Sequence, residues 1–370
     1  MWGRRFGRPS RPGSLRGTPA ARPAVRYLME VWRSSADIPS DLAGSVVTIG
    51  VFDGVHKGHR AVISEAVRQA DALGLPCIVL TFDPHPGTVH NPENEIPLVI
   101  SLDDRLRLLE ALGVDVTFVQ HYTLDYAMAS AEEFIGHQVV GDLKARAVVV
   151  GEDARFGRGN EGDGKLLQSL GESLGFTVTL VRDLEDSTSG RRWSSTWLRE
   201  LLDEGNVKGA TKVLGRLHRL QGTVVHGHKR GRELGFPTAN LQASSAGVVP
   251  QDGVYAGWLV RTVPGTSAVE NLPAAISVGT NPQFDGEKRT VEAHVLGRTD
   301  LDLYGEEISI DLVAYLRPMW AFDTLDELLG QMDEDLRQSA LALGVPVSGR
   351  VDPRRVTAGT EVSAEQNLTW

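Results

Sequence analysis

The feature that most constrains this chain is the alternation of strand-like and helix-like stretches across residues 45–215. Short runs rich in β-branched residues, typical of strands, are separated by stretches whose apolar residues recur at helical spacing. This alternation predicts a parallel sheet with helices on both faces, in which a ligand binds at the carboxyl ends of the strands. The predicted strands are Ser45–Phe52, Cys77–Phe82, Val114–Gln120, Ala145–Val150 and Thr177–Val181, and the predicted helices are Gly58–Leu73, Leu102–Leu112, Ala131–Leu143, Leu166–Leu174, Thr196–Asp203 and Val207–Val213.

The pattern changes after Gly215, where short β-like runs are separated by turns rich in glycine and proline. Their spacing predicts a small antiparallel barrel, followed by a C-terminal helix over Thr324–Leu343. We therefore predict an α/β domain over residues 29–215, a barrel domain over 216–345 and a flexible tail over 346–370. The predicted barrel strands are Leu220–Val225, Val254–Val260, Ala274–Val278, Val291–Leu296 and Ile308–Leu316.

The first 28 residues differ from the rest, since they carry seven arginines and neither lysine nor acid. They lack the apolar core of a secretory signal. We predict a disordered leader or a start codon assigned too early, with Met29 as the true start; an organellar transit peptide is a third possibility. No stretch reaches the roughly 20 apolar residues of a membrane helix, so we expect a cytoplasmic protein without a membrane partner.

Composition excludes several classes of function. The net charge of −10 argues against broad binding of nucleic acid. Cys77 is the single cysteine, so an internal disulfide or a cysteine-rich metal site is excluded, and its apolar surroundings predict a buried, inert thiol. The expected partners are small-molecule substrates, and the sequence leaves self-association open.

A string rich in glycine and histidine, GVFDGVHKGH, lies at residues 50–59 between a predicted strand and a predicted helix. Backbone N–H groups at such a helix start favour a bound phosphate, and the glycines allow a ligand to approach closely. His56 and His59 point the same way on a helical turn and can donate hydrogen bonds to phosphate oxygens. A metal-binding pair and a chance occurrence are the alternatives.

This string resembles the HxGH signature of the nucleotidylyltransferase superfamily. The later string RWSSTWLR, at residues 192–199, resembles the Ser/Thr-rich second signature of that superfamily. The resemblance implies that His56 and His59 hold the triphosphate of ATP and that Arg199 neutralises the leaving pyrophosphate. For Ser194–Thr196 the alternative is a plain helix cap. The implied ATP-binding residues are Gly50, Phe52, Asp53, Gly54, Gly58, Arg192, Ser195 and Thr196.

Two further stretches, Thr81–Pro86 and Gly151–Gly157, resemble the FMN adenylyltransferase module of bacterial FAD synthetases. The resemblance implies that this half binds flavin through Asp83, His85, Asp153 and Phe156. Ala154 stands where that family commonly has phenylalanine, a departure that bears on the local flavin contact. For His85 the alternative is a turn residue held between two prolines.

The barrel half contains the string GRELGFPTAN at residues 231–240. Thr238 and Asn240 project to the same face of an extended segment, and their oxygens suit a hard cation such as Mg²⁺. The string resembles the PTAN motif of riboflavin kinase, and Asp252–Gly257, Ser277–Pro282 and Val291–Leu296 also resemble that family. The resemblance implies Mg²⁺ at Thr238 and Asn240.

The same resemblance implies that Glu292 is the catalytic base, which accepts the proton of the ribityl alcohol of riboflavin. His294 shares its strand face, and we predict a structural role for it. For Arg317 two predictions stay open: it contacts flavin or phosphate, or it forms an ion pair with an acid on the surface. The residues implied to bind nucleotide or flavin in the kinase half are Gly222, Gly227, Gly231, Gly235, Phe236, Pro237, Asn281 and Arg317.

Taken together, the motifs occur from about Val31 to Leu343 in the order and spacing of bacterial bifunctional riboflavin kinases/FMN adenylyltransferases. The resemblance implies two reactions that need Mg²⁺ and ATP: phosphorylation of riboflavin to FMN and adenylylation of FMN to FAD. Two alternatives stay open at this point. One is a riboflavin kinase whose adenylyltransferase half is impaired, and the other is a flavin-binding protein with little turnover.

Overall fold

A six-stranded parallel sheet forms the first half of the computed structural model, which describes residues 29–94, 96–226, 234–241, 247–280, 289–352 and 354. The strand order is β1-β4-β3-β2-β5-β6, so the order reverses at β2, which lies between β3 and β5. A crevice opens at such a reversal, outside the carboxyl ends of the strands. The strands are β1 Glu30–Trp32, β2 Ser45–Ile49, β3 Cys77–Asp83, β4 Val116–His121, β5 Ala145–Gly151 and β6 Thr177–Val181.

Seven helices accompany this sheet in the described part of the chain. They are α1 Lys57–Leu73, α2 Pro86–His90, α3 Leu102–Ala111, α4 Ala131–Asp142, α5 Gly164–Leu174, α6 Ser195–Asp203 and α7 Val207–Leu214. The predicted cap Ser130 starts α4, where its hydroxyl accepts from Glu133 N. From Phe134 onward α4 is a π-helix, with Leu143 N donating to Gln138 O at 2.9 Å, a widening that the predicted regular helix did not include.

The core of this half explains the apolar strands of the sequence. Val46 and Val47 of β2 are fully buried on opposite faces of the sheet, because helices cover both faces. Val46 packs in one cluster with Ala66 of α1, whereas Val47 packs in another with Ile135 of α4. Cys77 is buried as predicted, and burial raises the pKa of its thiol.

The second half is a closed antiparallel barrel, as predicted, with the strand order β10-β11-β8-β7-β12-β9 and β9 paired back to β10. A long helix, α8 Leu325–Leu343, packs against it. The short strand β8 was not predicted, because three residues carry too little periodicity. The strands are β7 His218–Val225, β8 Ala239–Leu241, β9 Gly253–Thr262, β10 Val269–Thr280, β11 Arg289–Val295 and β12 Glu307–Arg317.

The two halves meet through a continuous apolar cluster, which includes Val99 from the sheet half and Leu220 and Val248 from the barrel. A backbone hydrogen bond of 2.9 Å from Gln251 N to Leu202 O also crosses this junction. Gly215, the predicted boundary, caps α7 in the left-handed conformation with φ of 71°. The halves are therefore packed against each other around the link between them.

The predicted leader, residues 1–28, and most of the predicted tail lie outside the described residues. Within the described part of that tail, Val351 is buried and its N–H donates to Gly235 O at 3.1 Å. A search of the described residues finds no helix long and apolar enough to span a membrane.

The tight contact between β9 and β12 gives a test of the barrel. A Cβ atom on Gly257 would lie 2.3 Å from the carbonyl oxygen of Asp311, so Gly257→Ala should destabilise the protein by about 2–3 kcal/mol. Gly330 in α8 has no atom within 4 Å of its Cβ position, so Gly330→Ala should stabilise by about 0.5–1 kcal/mol. Urea unfolding of the full chain measures both; equal effects of the two variants would contradict this packing.

Candidate active sites

The glycine- and histidine-rich string forms a loop between β2 and α1 at the strand-order reversal. Phe52, Gly54 and Val55 have positive φ angles of 52°, 84° and 40°. Non-glycine residues hold such angles only when their surroundings fix them. Thr81 Oγ1 donates to Val51 O at 3.0 Å, and Ser195 Oγ donates to Asp53 O at 2.8 Å. Side chains from β3 and α6 therefore hold the loop in its strained shape.

His56 and His59 lie together at the start of α1. Their rings stack with centroids 3.6 Å apart, and His56 Nδ1 accepts a hydrogen bond from His59 N at 3.3 Å. Burial, together with the charge of Arg192, lowers the pKa of His56 to about 4. Burial, then His56 and Arg105, hold the pKa of His59 well below its usual value. Both rings are thus neutral at pH 7, and the proton of His56 resides on Nε2.

Asp53 lies behind this loop and is almost completely buried. Its carboxylate accepts from Val99 N at 2.9 Å and from Ile100 N at 3.3 Å, and it forms an ion pair with Arg199. Arg199 Nε also donates to Pro97 O at 2.9 Å. The charge of Arg199 is therefore directed at Asp53, and its predicted action on pyrophosphate stays a prediction.

A cavity of about 490 Å³ opens beside the loop, at the carboxyl ends of β2 and β5. Most of the predicted residues of this half are brought together in its wall, whereas Asp53, Gly54, Asp83, His85 and Arg199 are not part of it. The predicted residues that line it are Gly50, Phe52, His56, Gly58, His59, Asp153, Phe156, Arg192, Ser195 and Thr196.

The second signature surrounds the start of α6. Ser194 is the helix cap, since its Oγ accepts from Trp197 N at 3.1 Å, so the plain-cap alternative describes Ser194 but not its neighbours. Thr196 is exposed in the cavity wall. Arg192 forms an ion pair with Asp153 and donates to Asp183 at 3.0 Å. The cavity wall therefore contains hydroxyl groups and a guanidinium as well as the histidines.

The predicted flavin residues Asp83 and His85 stand at the end of β3, outside the cavity wall. His85 Nδ1 accepts from Gly87 N at 3.0 Å and caps α2, so it is held as the turn residue that the alternative described. Burial lowers its pKa. Ala154 lines the cavity together with Phe156, which packs against Phe134 at a centroid distance of 6.2 Å.

Sequence reasoning missed the aromatic wall of the cavity, formed by Phe82, Tyr122, Tyr126 and Phe134. The Tyr122 ring makes edge contacts with Phe82 at 5.7 Å and with Tyr126 at 5.6 Å. Tyr122 follows β4 directly, so the rule that ligands bind at carboxyl ends of strands could have identified it. Arg105 of α3 was also missed; it is fully buried and donates from Nη1 to Phe82 O at 3.1 Å.

The barrel holds a second constellation, on adjacent strands. Glu292 of β11 lies opposite Asn240 of β8 in the strand register. Thr238 Oγ1 donates to Glu292 Oε2 at 3.3 Å, and Asn240 Nδ2 donates to Thr238 Oγ1 at 3.2 Å. A carboxylate, a hydroxyl and an amide thus converge on two neighbouring strands. No group of three or more His, Cys, Asp or Glu side chains that could hold a metal occurs among the described residues, at this site or at any other.

The turn that carries Thr238 is fixed from behind. His294 is buried, its Nδ1 lies 2.8 Å from Pro237 O, and its ring contacts Phe236 at 5.7 Å. Gly235 has φ of 87°, and a Cβ there would lie 2.5 Å from Val351 O, so only glycine fits. These contacts are structural, as predicted for His294.

The other predicted kinase residues are spread apart. Arg317 makes a two-point ion pair with Asp335 of α8 at 2.7 and 2.8 Å, the acid pairing left open by the sequence. Gly222 lies in β7 and lines a second cavity of about 780 Å³, between α3 and the outer face of the barrel. Gly227, Gly231 and Asn281 lie outside the described residues.

Comparisons with known proteins match both halves of the chain. A family model of FAD synthetase matches residues 38–197, and one of riboflavin kinase matches residues 214–343. The bifunctional riboflavin kinase/FMN adenylyltransferase of Escherichia coli K12 is 35% identical over 79% of this chain and 90% of its own length. This chain belongs to the bifunctional riboflavin kinase/FMN adenylyltransferase family.

Further relatives also match this chain over most of its length. The family member from Bacillus subtilis strain 168 is 33% identical over 82% of this chain and 93% of its own length. A crystal structure described as a macrolide-efflux protein from Streptococcus pneumoniae superposes with a TM-score of 0.75 and 30% identity. It covers 85% of this chain and 99% of that chain, so the sheet and the barrel occur together there as well. We refer to the two halves below as the FAD synthetase module and the kinase module.

The burial of His56 in the FAD synthetase module makes stability depend on pH. An unfolded histidine titrates near pH 6.5 and His56 near 4, so the unfolded chain binds more protons in this window and stability falls as pH falls. Between pH 6.5 and pH 5 the wild type should lose about 1.5 kcal/mol more than His56→Gln.

Urea unfolding at the two pH values measures this difference. His121→Gln serves as the control, because His121 is exposed at the end of β4 and should behave as the wild type. Parallel pH profiles of His56→Gln and the wild type would contradict the assignment.

Proposed function

We propose that the two activities of this family are divided between the two constellations: the barrel phosphorylates riboflavin, and the sheet cavity adenylylates FMN. The observation that supports the division is their opposite chemistry. The barrel site presents a carboxylate, Glu292, hydrogen-bonded to a hydroxyl. The sheet cavity presents neutral imidazoles and hydroxyl groups, and its carboxylates Asp153 and Asp183 are paired with the guanidinium of Arg192. An alcohol needs a base to become a nucleophile, whereas a phosphate is already anionic and needs neutralisation.

In the kinase reaction, Glu292 accepts the proton of the ribityl hydroxyl of riboflavin. The hydroxyl oxygen attacks the γ-phosphorus of ATP, the bond to the bridging oxygen breaks, and ADP leaves. Thr238, whose hydroxyl donates to Glu292 Oε2, orients the carboxylate for this step. Glu292 lies opposite Asn240 in the strand register. The base and the phosphate groups of bound ATP would therefore meet on one face of the barrel.

The donor set of this site fits Mg²⁺. Thr238 Oγ1 and Asn240 Oδ1 are neutral oxygens, which suit a cation that keeps most of its ligands as water and substrate phosphate. Thr238 and Asn240 would hold the ion; when bound, it would neutralise charge on the transferred phosphoryl group. The ion is then held by Thr238 and Asn240, and Glu292 keeps the role of the base.

In the adenylyl transfer, a phosphate oxygen of FMN attacks the α-phosphorus of ATP and pyrophosphate leaves. His56, with its proton on Nε2, donates a hydrogen bond to the phosphates, and we assign the same role to His59. Arg192 and Thr196 line the same cavity. The N-termini of α1 and α6 add their dipoles to this anion site.

The aromatic wall gives the flavin ring an apolar surface in the same cavity. Tyr122 and Tyr126 of this wall line the cavity together with Phe156. Ala154 leaves more room there than a phenylalanine would. If that loss of contact were decisive, FMN would accumulate and the kinase-only alternative would hold.

The base assignment is tested by incubating purified protein with riboflavin, ATP and Mg²⁺ and separating the flavins over time. The wild type should form FMN and then FAD. Glu292→Gln should lower kcat for FMN formation by about 10²–10⁴-fold, since an amide accepts no proton. Adenylylation of supplied FMN should stay within about twofold of the wild type.

The matched control is Glu307→Gln, which removes an exposed carboxylate from β12. It should leave both reactions unchanged. Full kinase turnover by Glu292→Gln would overturn the assignment.

The role of the histidines is tested by a variant that should slow the second reaction and spare the first. His59→Asn should slow FAD formation from FMN about 10²–10³-fold, the range for losing one donor at a developing charge. FMN formation from riboflavin should be unaffected, and His137→Asn, at an exposed position of α4, should leave both reactions intact. FMN that accumulates without FAD in the wild type would point instead to the kinase-only protein.

A further inference from the structure

Arg216 lies in the link between the two modules, directly after the cap of α7 and shortly before β7. Its side chain reaches back to the histidine loop of the FAD synthetase module. Nη2 donates to Gly54 O at 2.8 Å, and Nη1 lies 3.4 Å from Val55 O. One guanidinium therefore bridges the two carbonyl groups that precede His56.

The contact bears on the part of the loop that would face phosphate. In a trans peptide the C=O of one residue and the N–H of the next point in opposite directions. By holding Val55 O, Arg216 fixes the direction of the His56 N–H. Gly54 and Val55 both have positive φ, and a valine keeps that conformation only when neighbouring groups hold it.

Arg216 also supplies charge beneath the loop. Among the described residues no carboxylate forms an ion pair with it. Burial, and then the like charge of Arg60, lower its pKa to about 10, so it remains a cation at pH 7. A half-buried cation there raises the positive potential at the start of α1.

The surrounding junction is packed closely enough to keep the link in place. Gly215 has φ of 71°, and a Cβ there would lie 3.3 Å from Lys57 Cε and 3.5 Å from Arg60 Nη1. The link thus lies directly against the first turn of α1. Its position is also set by β7, which follows at His218 and is part of the kinase barrel.

We propose that Arg216 is a positioning residue for adenylyl transfer: from the link to the kinase barrel, it holds the peptide groups before His56 in the geometry that receives the ATP phosphates. The kinase module thereby contributes to the architecture of the neighbouring site without touching substrate. This inference rests on the proposed function of the sheet cavity.

The test compares Arg216→Met, Arg216→Lys and the wild type in both reactions, with FMN or riboflavin supplied separately. Arg216→Met should lower kcat/KM for FMN adenylylation by about 10- to 100-fold, the range for losing hydrogen bonds from a charged donor. Most of the loss should be a higher KM for ATP. Arg216→Lys keeps the charge and should recover part of the activity.

The kinase reaction of the same protein serves as the internal control for folding and should stay within about twofold of the wild type. Arg219→Met is the matched control, since Arg219 is a nearby arginine that pairs with Asp311 on the barrel surface. It should leave adenylylation unchanged.

The outcomes separate the two proposals. Unchanged adenylylation by Arg216→Met, or an equal fall of both reactions in Arg216→Met, would overturn the role of Arg216. Absence of FAD formation by the wild type would instead overturn the function proposed for the sheet cavity, and with it this inference.

Discussion

The buried carboxylate of Asp53 is the interaction on which the FAD synthetase module depends most. At 2% exposure it is stable only because two backbone N–H groups and Arg199 satisfy it. These partners come from the segment before α3 and from α6, so one side chain joins the histidine loop to two distant parts of the chain. Removing Arg199 would leave a buried charge uncompensated, and loss of activity in such a variant would therefore report on loop structure as well as on catalysis.

The residues of the two sites are held in place in different ways. In the kinase module Glu292, Asn240 and their neighbours lie on paired strands, and strand register sets their separation. In the FAD synthetase module the histidines follow a loop with strained backbone angles, held by side chains from β3, α6 and the interdomain link. The first arrangement suits a base that must meet one hydroxyl group. The second suits many N–H groups that must converge on phosphates.

The sequence predicted most of the fold because its signals are local. The buried strand β5 contains the apolar run Ala147–Val150, and α4 begins at the predicted serine cap. The short elements β1, β8 and α2 were not predicted, because they take their shape from the partners they pair with or from a single cap. The π-helical part of α4 was not predicted, because its sequence has the same apolar periodicity as a regular α-helix.

The site residues divide in the same way, into those with a local sequence signal and those placed only by tertiary contacts. Motif strings predicted Glu292, Thr238 and the two histidines, because each of these residues lies within a short characteristic string of its own. The pairing of Arg199 with Asp53 and the acid partner of Arg317 required the tertiary structure. The aromatic wall falls between these two cases. No motif contains it, but Tyr122 directly follows a strand whose carboxyl end is at the cavity.

The hydrogen bond between Val351 and Gly235 has a consequence for the order in which the protein is made. The side chains described above as holding the histidine loop, those of Thr81, Ser195 and Arg216, all precede the first barrel strand in the chain. They can begin to order the loop while the barrel is still being translated, and β7 then completes the position of the link. The contact between Val351 and the turn that carries Thr238 forms only after residue 351 has been translated. The loop of the module that acts second in flavin synthesis is therefore supplied with its side-chain contacts before the turn of the module that acts first.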